Sequence, residues 1–273
     1  MSCDRQLIFD VGVHRGEDSA YYLALGYRVV GFEANPALLD HCRRRFADEL
    51  RDGRLTLVDG AISADADATV KFFQHSHSML GTTNADWVQR NRDLGATECI
   101  EVPAVDFAAC LQEHGVPYFV KIDIEGADRV CLDALHSTAG RPQYVSLESA
   151  KADFDALIEE FDILCELGFD RFAVVQQAGI SRIEGATRLD GTRMPYAFEA
   201  DTSGPFGPDV GPWLTRDQAI SRYRRIFKLY RLLGDHSWAR RTRLRRTILI
   251  RTGHVLRLPL PGWYDTHAMR RDS

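Results

Sequence analysis

The chain has 273 residues, of which 45% are hydrophobic and 27% are charged, and its formal net charge is −5. This length suits one large α/β domain with additions, and the apolar fraction is sufficient for a full core. No apolar run approaches the roughly 20 residues that a transmembrane helix needs, and the N-terminus lacks the apolar core of a signal peptide. The six cysteines are scattered without metal-ligand or CxxC spacing, so we expect reduced thiols in a cytoplasmic protein.

The charge is distributed unevenly along the chain. From Arg216 onward, fifteen Lys and Arg residues face four Asp and Glu residues, which gives a local charge of +11. The first 215 residues hold nineteen against thirty-five, a charge of −16. We therefore expect the basic segment either to pack on the acidic body or to meet an anionic partner.

The stretch from Leu7 to Glu33 predicts a strand, a glycine-containing loop, a helix and a second strand. Leu7 to Phe9 is an apolar run of the kind that a parallel strand shows when both of its faces are buried. We expect Asp18 or Ser19 to cap the helix and Gly26 to end it. This order of elements is typical of one half of a nucleoside-binding α/β fold.

The loop between that strand and helix favours one class of cofactor. Gly12 and Gly16 lie where the backbone can approach a ligand, and Asp10 precedes them. The spacing is G-x-x-x-G, whereas the dinucleotide fingerprint needs G-x-G-x-x-G at a helix N-terminus that receives a pyrophosphate. A carboxylate attracts a cation, and S-adenosyl-L-methionine carries an ammonium and a sulfonium but no phosphate. The loop therefore favours this cofactor, with an ordinary βαβ turn as the alternative.

Two further strand ends are predicted to complete the cofactor site. Glu33 stands at the carboxyl end of the second strand, where such folds hydrogen-bond a ribose. The third strand, over 55–58, closes with Asp59, Gly60 and Ala61, at the end that faces the base in nucleoside-binding sheets. Asp59 or the neighbouring backbone is expected to contact the adenine amine, and a solvated turn aspartate is an equal alternative.

A second anchor is the stretch 118–126, an apolar run that carries Lys121, Asp123 and Glu125 and ends in Gly126. Charges are costly in a central strand, so this pattern indicates a special role. Asp123 falls at the carboxyl end of the strand, where ligands bind in open α/β sheets. The alternative is a buried ion pair between Lys121 and one of the acids.

The other elements follow from periodicity and turn residues. We expect helices over 37–50, 107–114, 128–135, 153–167 and 216–234, and strands over 69–74, 100–105, 144–148 and 171–176. The Gly- and Pro-rich stretch 185–212 predicts a long loop or lid, and 259–264 is expected to end regular structure. His75 and His77 lack a third ligand, and a metal held by Asp123 with Glu148 is unsupported by spacing, so no metal site is predicted.

Four motifs together resemble the FkbM family of S-adenosylmethionine-dependent methyltransferases. They are D-V-G-x-x-x-G from Asp10, F-E-A-N-P from Phe32, V-K-I-D-I-E-G-A from Val120 and V-S-L-E from Val145. The resemblance covers roughly residues 5 to 175. It implies a Rossmann-like class I methyltransferase fold, an α/β sheet of mostly parallel strands with helices on both faces, followed here by a basic C-terminal helical extension.

The resemblance also implies O-methylation of a hydroxyl on a sugar, glycan or secondary metabolite. It assigns the cofactor to Asp10, Val11, Gly12, Gly16, Glu33, Ala34, Asp59, Gly60, Ala61 and Asp123. Asp123 would lie beside the transferable methyl group, and the candidates for the general base are Asp123, Glu125 and His14, in that order. His14 is less typical of the family, where many members carry a small or amide residue.

We predict a methyltransferase domain over 1–200, followed by a loop and a basic helical extension over 201–273. The expected partner is a small-molecule or glycan acceptor, and no nucleic acid is expected, because the tail lacks a recognised binding module and the sheet domain is acidic. Two alternatives stay open. One is a non-catalytic nucleoside-binding protein, and the other is a protein whose basic C-terminal segment binds nucleic acid or an anionic membrane surface.

Overall fold

The computed structural model describes residues 3–64, 68–75, 82–83, 97–124, 126–149, 153–199, 201–233 and 263–271. Its α-helices are α1 Glu17–Ala24, α2 Pro36–Arg45, α3 Ala47–Arg51, α4 Phe107–His114, α5 Asp128–Ser137, α6 Phe154–Glu166 and α7 Arg216–Leu233. The first six strands are β1 Asp4–Val11, β2 Arg28–Glu33, β3 Leu55–Asp59, β4 Ala61–Ile62, β5 Thr69–His75 and β6 Thr97–Val105. The other six are β7 Pro117–Ile122, β8 Tyr144–Glu148, β9 Arg171–Gln176, β10 Glu184–Thr187, β11 Arg193–Ala197 and β12 Tyr264–Met269.

A seven-stranded sheet forms the centre of the fold, with the strand order β3-β2-β1-β7-β8-β12-β9. The pairs from β3 to β8 are parallel, and β12 is antiparallel to both of its neighbours. The chain order reverses between β1 and β7, which is the switch point where open α/β sheets bind ligands. The mostly parallel Rossmann-like sheet predicted from the sequence is confirmed.

Alternate side chains of β1 enter two different hydrophobic clusters. Phe9 and Val11 pack in a cluster that α4, α5, α6 and α7 share, whereas Ile8 packs in another cluster with Tyr22 of α1. This alternation follows from the two-residue period of a strand. Both faces of β1 are therefore covered, as its continuous apolar sequence predicted.

The end of the chain contains the largest departure from the predicted fold. Regular structure was expected to end over 259–264, but Tyr264–Met269 forms β12 between β8 and β9. The prediction was wrong because this strand buries polar residues, including Asp265, Thr266 and His267, which conceal a central strand in the sequence. The boundary predicted at residue 200 stays a prediction, although one strand of the main sheet comes from beyond it.

The stretch 185–212 is also more ordered than a loop. It contains most of the β10–β11 hairpin, and it buries Phe198 and Phe206 against the sheet. The ring of Phe206 stacks on Phe119 of β7 with centroids 4.6 Å apart and meets Tyr22 edge-on at 5.3 Å. Phe198 and Phe206 show no periodic pattern, and the stretch around them is rich in Gly and Pro, so the sequence predicted a loop.

The predicted amphipathic helix near the C-terminus is present as α7. Its buried residues Ala219, Ile220, Tyr223 and Ile226 recur at helical spacing and pack in the main cluster. None of the helices in the part of the chain that the structure describes is long and apolar enough to cross a membrane. Most of the basic segment that follows α7 lies outside the described residues.

Glu160 of α6 supplies a pH-dependent test of the core. Its Oε1 atom is buried and has no hydrogen-bond partner among the described residues. Burial raises the pKa of Glu160 from 4.5 to about 8, and the charge of Asp128 raises it further, against a hydrogen bond with Thr266. The unfolded chain loses this proton first, so Glu160 costs stability as the pH rises from about 4.5 to 8.

We expect Glu160→Gln to gain stability over the parent as the pH is raised from 5 to 8, by about 2–4 °C in Tm for each kcal/mol recovered. The matched control is Glu159→Gln, the exposed neighbour on the same helix. Thermal melts across this pH range measure the effect. A parallel pH profile for Glu160→Gln and the parent would contradict the prediction.

Candidate active site

A cavity of about 670 Å³ opens at the carboxyl ends of the central strands. Such a volume is typical of a small-molecule site. The loop after β1 and the ends of β2, β7 and β8 all contribute to its wall. Seven of the predicted site residues line it, namely Gly12, His14, Glu33, Ala34, Gly60, Ala61 and Asp123.

The centre of this region is a buried lysine that contacts three carboxylates. The Nζ atom of Lys121 lies 3.2 Å from Asp18 Oδ2, 3.5 Å from Asp123 Oδ2 and 3.6 Å from Asp10 Oδ1. It also donates a hydrogen bond to the carbonyl of Gly12 at 3.3 Å. The sequence suggested an ion pair between Lys121 and one acid as an alternative, and the structure shows a cluster of Lys121 with three acids.

The sequence predicted that Asp18 or Ser19 caps α1, but neither residue does so. The helix begins after Gly16, which adopts a left-handed conformation and makes no side-chain cap. Both side chains are buried instead: Ser19 Oγ donates to Asp10 Oδ2 at 2.6 Å, and Asp18 Oδ1 accepts from Ser203 N at 2.9 Å. The cap prediction was wrong because Asp18 pairs with the buried Lys121 of β7 and Ser19 binds Asp10 of β1.

Opposed effects set the charges of this cluster. Burial raises the pKa of Asp10 to about 6, while the nearby Lys121 ammonium lowers it. Burial likewise raises the pKa of Asp18, against the same lysine. Burial alone would lower the pKa of Lys121, but Asp18, Asp10 and Asp123 raise it well above its usual value. The lysine therefore stays charged and holds two buried acids beside a third, Asp123, whose side chain is 45% exposed.

The two glycines of the first loop have different roles. A Cβ atom on Gly12 would lie 2.1 Å from the carbonyl oxygen of Asp123, and one on Gly16 would lie 2.2 Å from the ring of Phe46. Phe46 interrupts the single helix predicted over 37–50, which the structure divides into α2 and α3. Gly12 lines the cavity. Three other predicted cofactor residues, Asp10, Val11 and Gly16, are not among its lining residues.

Glu33 is held rigidly at the end of β2. Its Oε1 accepts from the backbone N–H of Asn35 and its Oε2 from that of His14, both at 2.8 Å. Burial raises the pKa of Glu33 to about 7, and these two hydrogen bonds lower it in part. His14 has a positive φ of 55°, and its Nδ1 lies 3.3 Å from Glu17 Oε2. The first loop and the end of β2 thus fix each other.

At the end of β3, the backbone and not the carboxylate faces the cavity. Asp59 is exposed and accepts a hydrogen bond from Arg43 at 3.3 Å, and it is not among the lining residues. Gly60, Ala61 and Ile62 line the wall instead. A Cβ on Gly60 would lie 2.4 Å from the carbonyl of Pro103, so β6 fixes this turn.

The wall on the far side of Asp123 contains residues that the sequence analysis did not assign to the site. Glu148 of β8 lines it together with Asp265 of β12, and Asp265 accepts a hydrogen bond from Gln177 Nε2. Residues 201–203 and Trp263 also contribute. Glu125 lies outside the described residues. No group of three or more His, Cys, Asp or Glu that could hold a metal is found in the described part of the chain, and the absence of a metal stays a prediction.

The model of the FkbM methyltransferase domain matches residues 10–171, more than half of the chain. This chain belongs to the FkbM methyltransferase family. It is therefore an S-adenosylmethionine-dependent methyltransferase, which confirms the resemblance and the predicted cofactor.

Solved structures similar to this FkbM methyltransferase include three proteins described as methyltransferases. The methyltransferase FkbM from Methylobacillus flagellatus KT is 19% identical, with 60% of this chain and 38% of that chain covered and a TM-score of 0.36. A SAM-dependent methyltransferase from Archaeoglobus fulgidus is 11% identical, with 98% and 87% covered and a TM-score of 0.39. An O-methyltransferase from Bacillus cereus, in complex with SAH, is 12% identical, with 68% and 70% covered and a TM-score of 0.34. No curated protein matches the chain.

Removal of the central cation should destabilise this FkbM methyltransferase. We expect Lys121→Met to cost about 3–5 kcal/mol in the free energy of unfolding, because it strands buried carboxylates. The double variant Lys121→Met/Asp10→Asn should recover part of this loss, since Asp10 is fully buried. Urea unfolding at neutral pH measures both. Equal stability of Lys121→Met and the parent would show that the acids do not depend on the lysine.

Gly12 can be tested against Gly115, a glycine with a similar φ angle. Gly12 has a φ of +91°, and an added Cβ atom would clash with the backbone of Asp123. Gly115 has a φ of +94°, and an added Cβ atom would meet no atom of a non-neighbouring residue within 4 Å. Both alanine variants should lose about 1–3 kcal/mol, because alanine is strained at these positive φ values. Only Gly12→Ala should also weaken S-adenosylhomocysteine binding, by about 10-fold or more, equivalent to about 1.4 kcal/mol. Calorimetry and thermal melts decide, and equal affinities for the two variants would contradict the prediction.

Proposed function

We propose that this methyltransferase transfers the methyl group of S-adenosylmethionine to a hydroxyl group of a sugar, glycan or secondary metabolite. The observation that carries the proposal is the position of Asp123. It follows β7 at the switch point, it is the half-exposed member of the Lys121 cluster, and it lines the cavity. A carboxylate in this place suits an acceptor hydroxyl, because it orients the hydroxyl and accepts its proton.

The residues at the ends of β1, β2 and β3 suit the cofactor. Gly12 lets the backbone of the first loop form part of the wall, with no side chain between it and Asp123. Each oxygen of Glu33 accepts one backbone N–H, so its remaining lone pairs suit the hydroxyls of a ribose. Gly60 and Ala61 offer backbone groups where an adenine would lie, and this replaces the carboxylate of Asp59 in the predicted contact.

When bound, S-adenosylmethionine supplies a methyl group on a positively charged sulfur, open to in-line displacement by an oxygen nucleophile. Lys121 fixes Asp123 from behind, and the hydrogen bond from Asp123 N to Val11 O at 2.9 Å joins its backbone to β1. Correct alignment is worth roughly 7–11 kcal/mol, and a positioned base adds about 10²–10⁴-fold. Alignment therefore supplies the larger share of the catalysis.

His14 is the third candidate for the base, and it is the one besides Asp123 that lies within the described residues. Its ring contacts Glu17, and burial alone would raise the pKa of that acid, but hydrogen bonds from His14 and the backbone lower it below its usual value. An ionised Glu17 would hold the imidazole in one orientation, facing the cofactor side of the cavity. We assign the proton transfer to Asp123 because it stands between the cofactor side and the acidic wall of β8 and β12.

The cysteines support a proposal for the location, and the charge of the cavity supports one for the partners. We place the enzyme in the cytoplasm, since all six cysteines are free thiols and such thiols persist in reducing compartments. We expect no nucleic-acid partner, because acids prevail in the cavity. The basic segment after α7 is assigned no partner.

The functional test uses Asp123→Asn. Labelled S-adenosylmethionine is first used to find an acceptor among simple sugars, amino sugars and macrolides. On that acceptor, we expect Asp123→Asn to lower the single-turnover rate by about 10²-fold or more while S-adenosylhomocysteine affinity stays near the parental value. Asp155→Asn, an exposed acid on α6, serves as the matched control.

Two results would overturn the assignment. One is an Asp123→Asn variant that melts early but transfers methyl groups at the parental rate below its melting point. The other is a product with the label on nitrogen or carbon.

A further inference from the structure

We infer that Glu17, the first residue of α1, binds the amino group in the methionine part of S-adenosylmethionine. The inference rests on the cofactor placement given under the proposed function, at the ends of β1, β2 and β3, and it adds one residue to that site. Its evidence comes from the acids on this side of the cavity and from the contacts that each of them makes.

The amino group of the cofactor is an ammonium, with three N–H donors and a full positive charge. An ionised carboxylate is its strongest acceptor, and the sequence connected Asp10 with this cation. The structure does not place Asp10 on the cavity wall. Asp10 Oδ2 accepts a hydrogen bond from Ser19, and its Oδ1 lies 3.6 Å from Lys121 Nζ. A different acid is therefore better placed for the ammonium.

Among the described residues, three lining acids belong to the start of α1 or the end of β2, namely Glu17, Asp18 and Glu33. Asp18 is already engaged, since one oxygen lies 3.2 Å from Lys121 Nζ and the other accepts from Ser203 N. Both oxygens of Glu33 accept backbone N–H groups, and burial raises the pKa of Glu33 to about 7. A carboxyl group that is partly protonated near neutral pH is a weak partner for a cation. Glu17 is the acid that remains.

Glu17 is held at the cavity wall with capacity for a ligand. Its Oε2 accepts from Arg15 N at 3.1 Å and lies 3.3 Å from His14 Nδ1. Both contacts meet the same oxygen, whereas a carboxylate has about four acceptor sites. Burial raises the pKa of Glu17, but the hydrogen bonds from His14 and the backbone lower it below its usual value. The carboxylate is therefore ionised at neutral pH, at a helix N-terminus that favours negative charge.

His14 joins this acid to the one proposed for the ribose. Its backbone N–H donates to Glu33 Oε2 at 2.8 Å, while its ring contacts Glu17. In the cofactor, the ribose and the amino acid part are attached to the same sulfur atom. Acids that bind both parts would therefore fix the sulfur between them, on the side of the cavity where Gly12 faces the backbone of Asp123.

The test removes the amino group from the ligand and the charge from Glu17, separately and together. Calorimetry on the full chain measures S-adenosylhomocysteine and its deamino analogue, in which hydrogen replaces the amino group. We expect the parent to bind S-adenosylhomocysteine about 10-fold or more tighter than the analogue, as charged hydrogen bonds allow. Glu17→Gln should bring this ratio close to one, by weakening S-adenosylhomocysteine and not the analogue. The amide keeps an oxygen for Arg15 N, so the Tm should stay near the parental value.

Two other variants separate Glu17 from acids in general. Asp217→Asn is the matched control, because it changes an acid in the first turn of α7 whose side chain is 94% exposed. Asp10→Asn changes the acid that the sequence connected with the cation. Both variants should keep the parental ratio of the two affinities. All measurements are made well below the Tm of each variant.

S-adenosylmethionine carries the same amino group and also a charged sulfur. We expect Glu17→Gln to weaken S-adenosylmethionine and S-adenosylhomocysteine by the same factor. A loss confined to S-adenosylmethionine would assign Glu17 to the sulfonium and overturn the inference.

The remaining outcomes separate this inference from the proposed function. A parental ratio in Glu17→Gln, or a ratio near one in the parent, would overturn the inference and leave the proposed function intact. A ratio that falls in Asp10→Asn and not in Glu17→Gln would also overturn it. Absence of S-adenosylhomocysteine binding by the parent would count against the assigned cofactor site as a whole.

Discussion

The ammonium of Lys121 is the group on which the site depends. A single cation in the interior contacts acids from three parts of the chain, at the end of β1, in α1 and after β7. Burial of charge is costly unless it is paired, so the positions of these elements are coupled through one atom. The same contact joins the backbone of Gly12 to the cluster. One side chain therefore joins the first loop to the proposed catalytic acid.

This coupling extends to residues 201–203, which form part of the cavity wall. Asp18 holds Lys121 with one oxygen and the backbone N–H of Ser203 with the other. Phe206, three residues on, fastens the same segment to β7 and α1 through aromatic contacts. Arg45 adds an ion pair with Glu199 at 2.6 Å. Asp18 therefore joins residues 201–203 of the cavity wall to the Lys121 cluster.

Much of the fold and part of the site could be predicted from the sequence. The strands β1, β2, β7 and β8 stand out because buried parallel strands are continuous apolar runs, and the acids at or next to their carboxyl ends mark the ligand side. The roles of Asp18 and Ser19 could not be predicted, because their sequence positions suit a helix cap equally well. Only the distant position of Lys121 decides between the two. The hydrogen bond from Arg43 to Asp59 could not be predicted either, because the two residues lie in different elements.

The strand β12 shows the limit of a local pattern most clearly. The hydroxyl of Thr266 in this strand forms hydrogen bonds with Tyr223 and Ser149, which are far away in sequence. No alternation of apolar and polar residues identifies a strand whose two faces are both buried and whose hydroxyls bond within the core. Phe198 and Phe206 are likewise buried without belonging to a periodic pattern.

The position of β12 also has a consequence for assembly. β8 and β9 do not pair with each other, and each hydrogen-bonds to β12 along its inner edge. Until that last strand arrives, the sheet has two open edges where its wall should be, and open edges are the places where chains associate wrongly. The insertion that closes this gap also delivers Asp265 to the cavity. Completion of the sheet and the placement of Asp265 in the cavity wall thus both depend on β12.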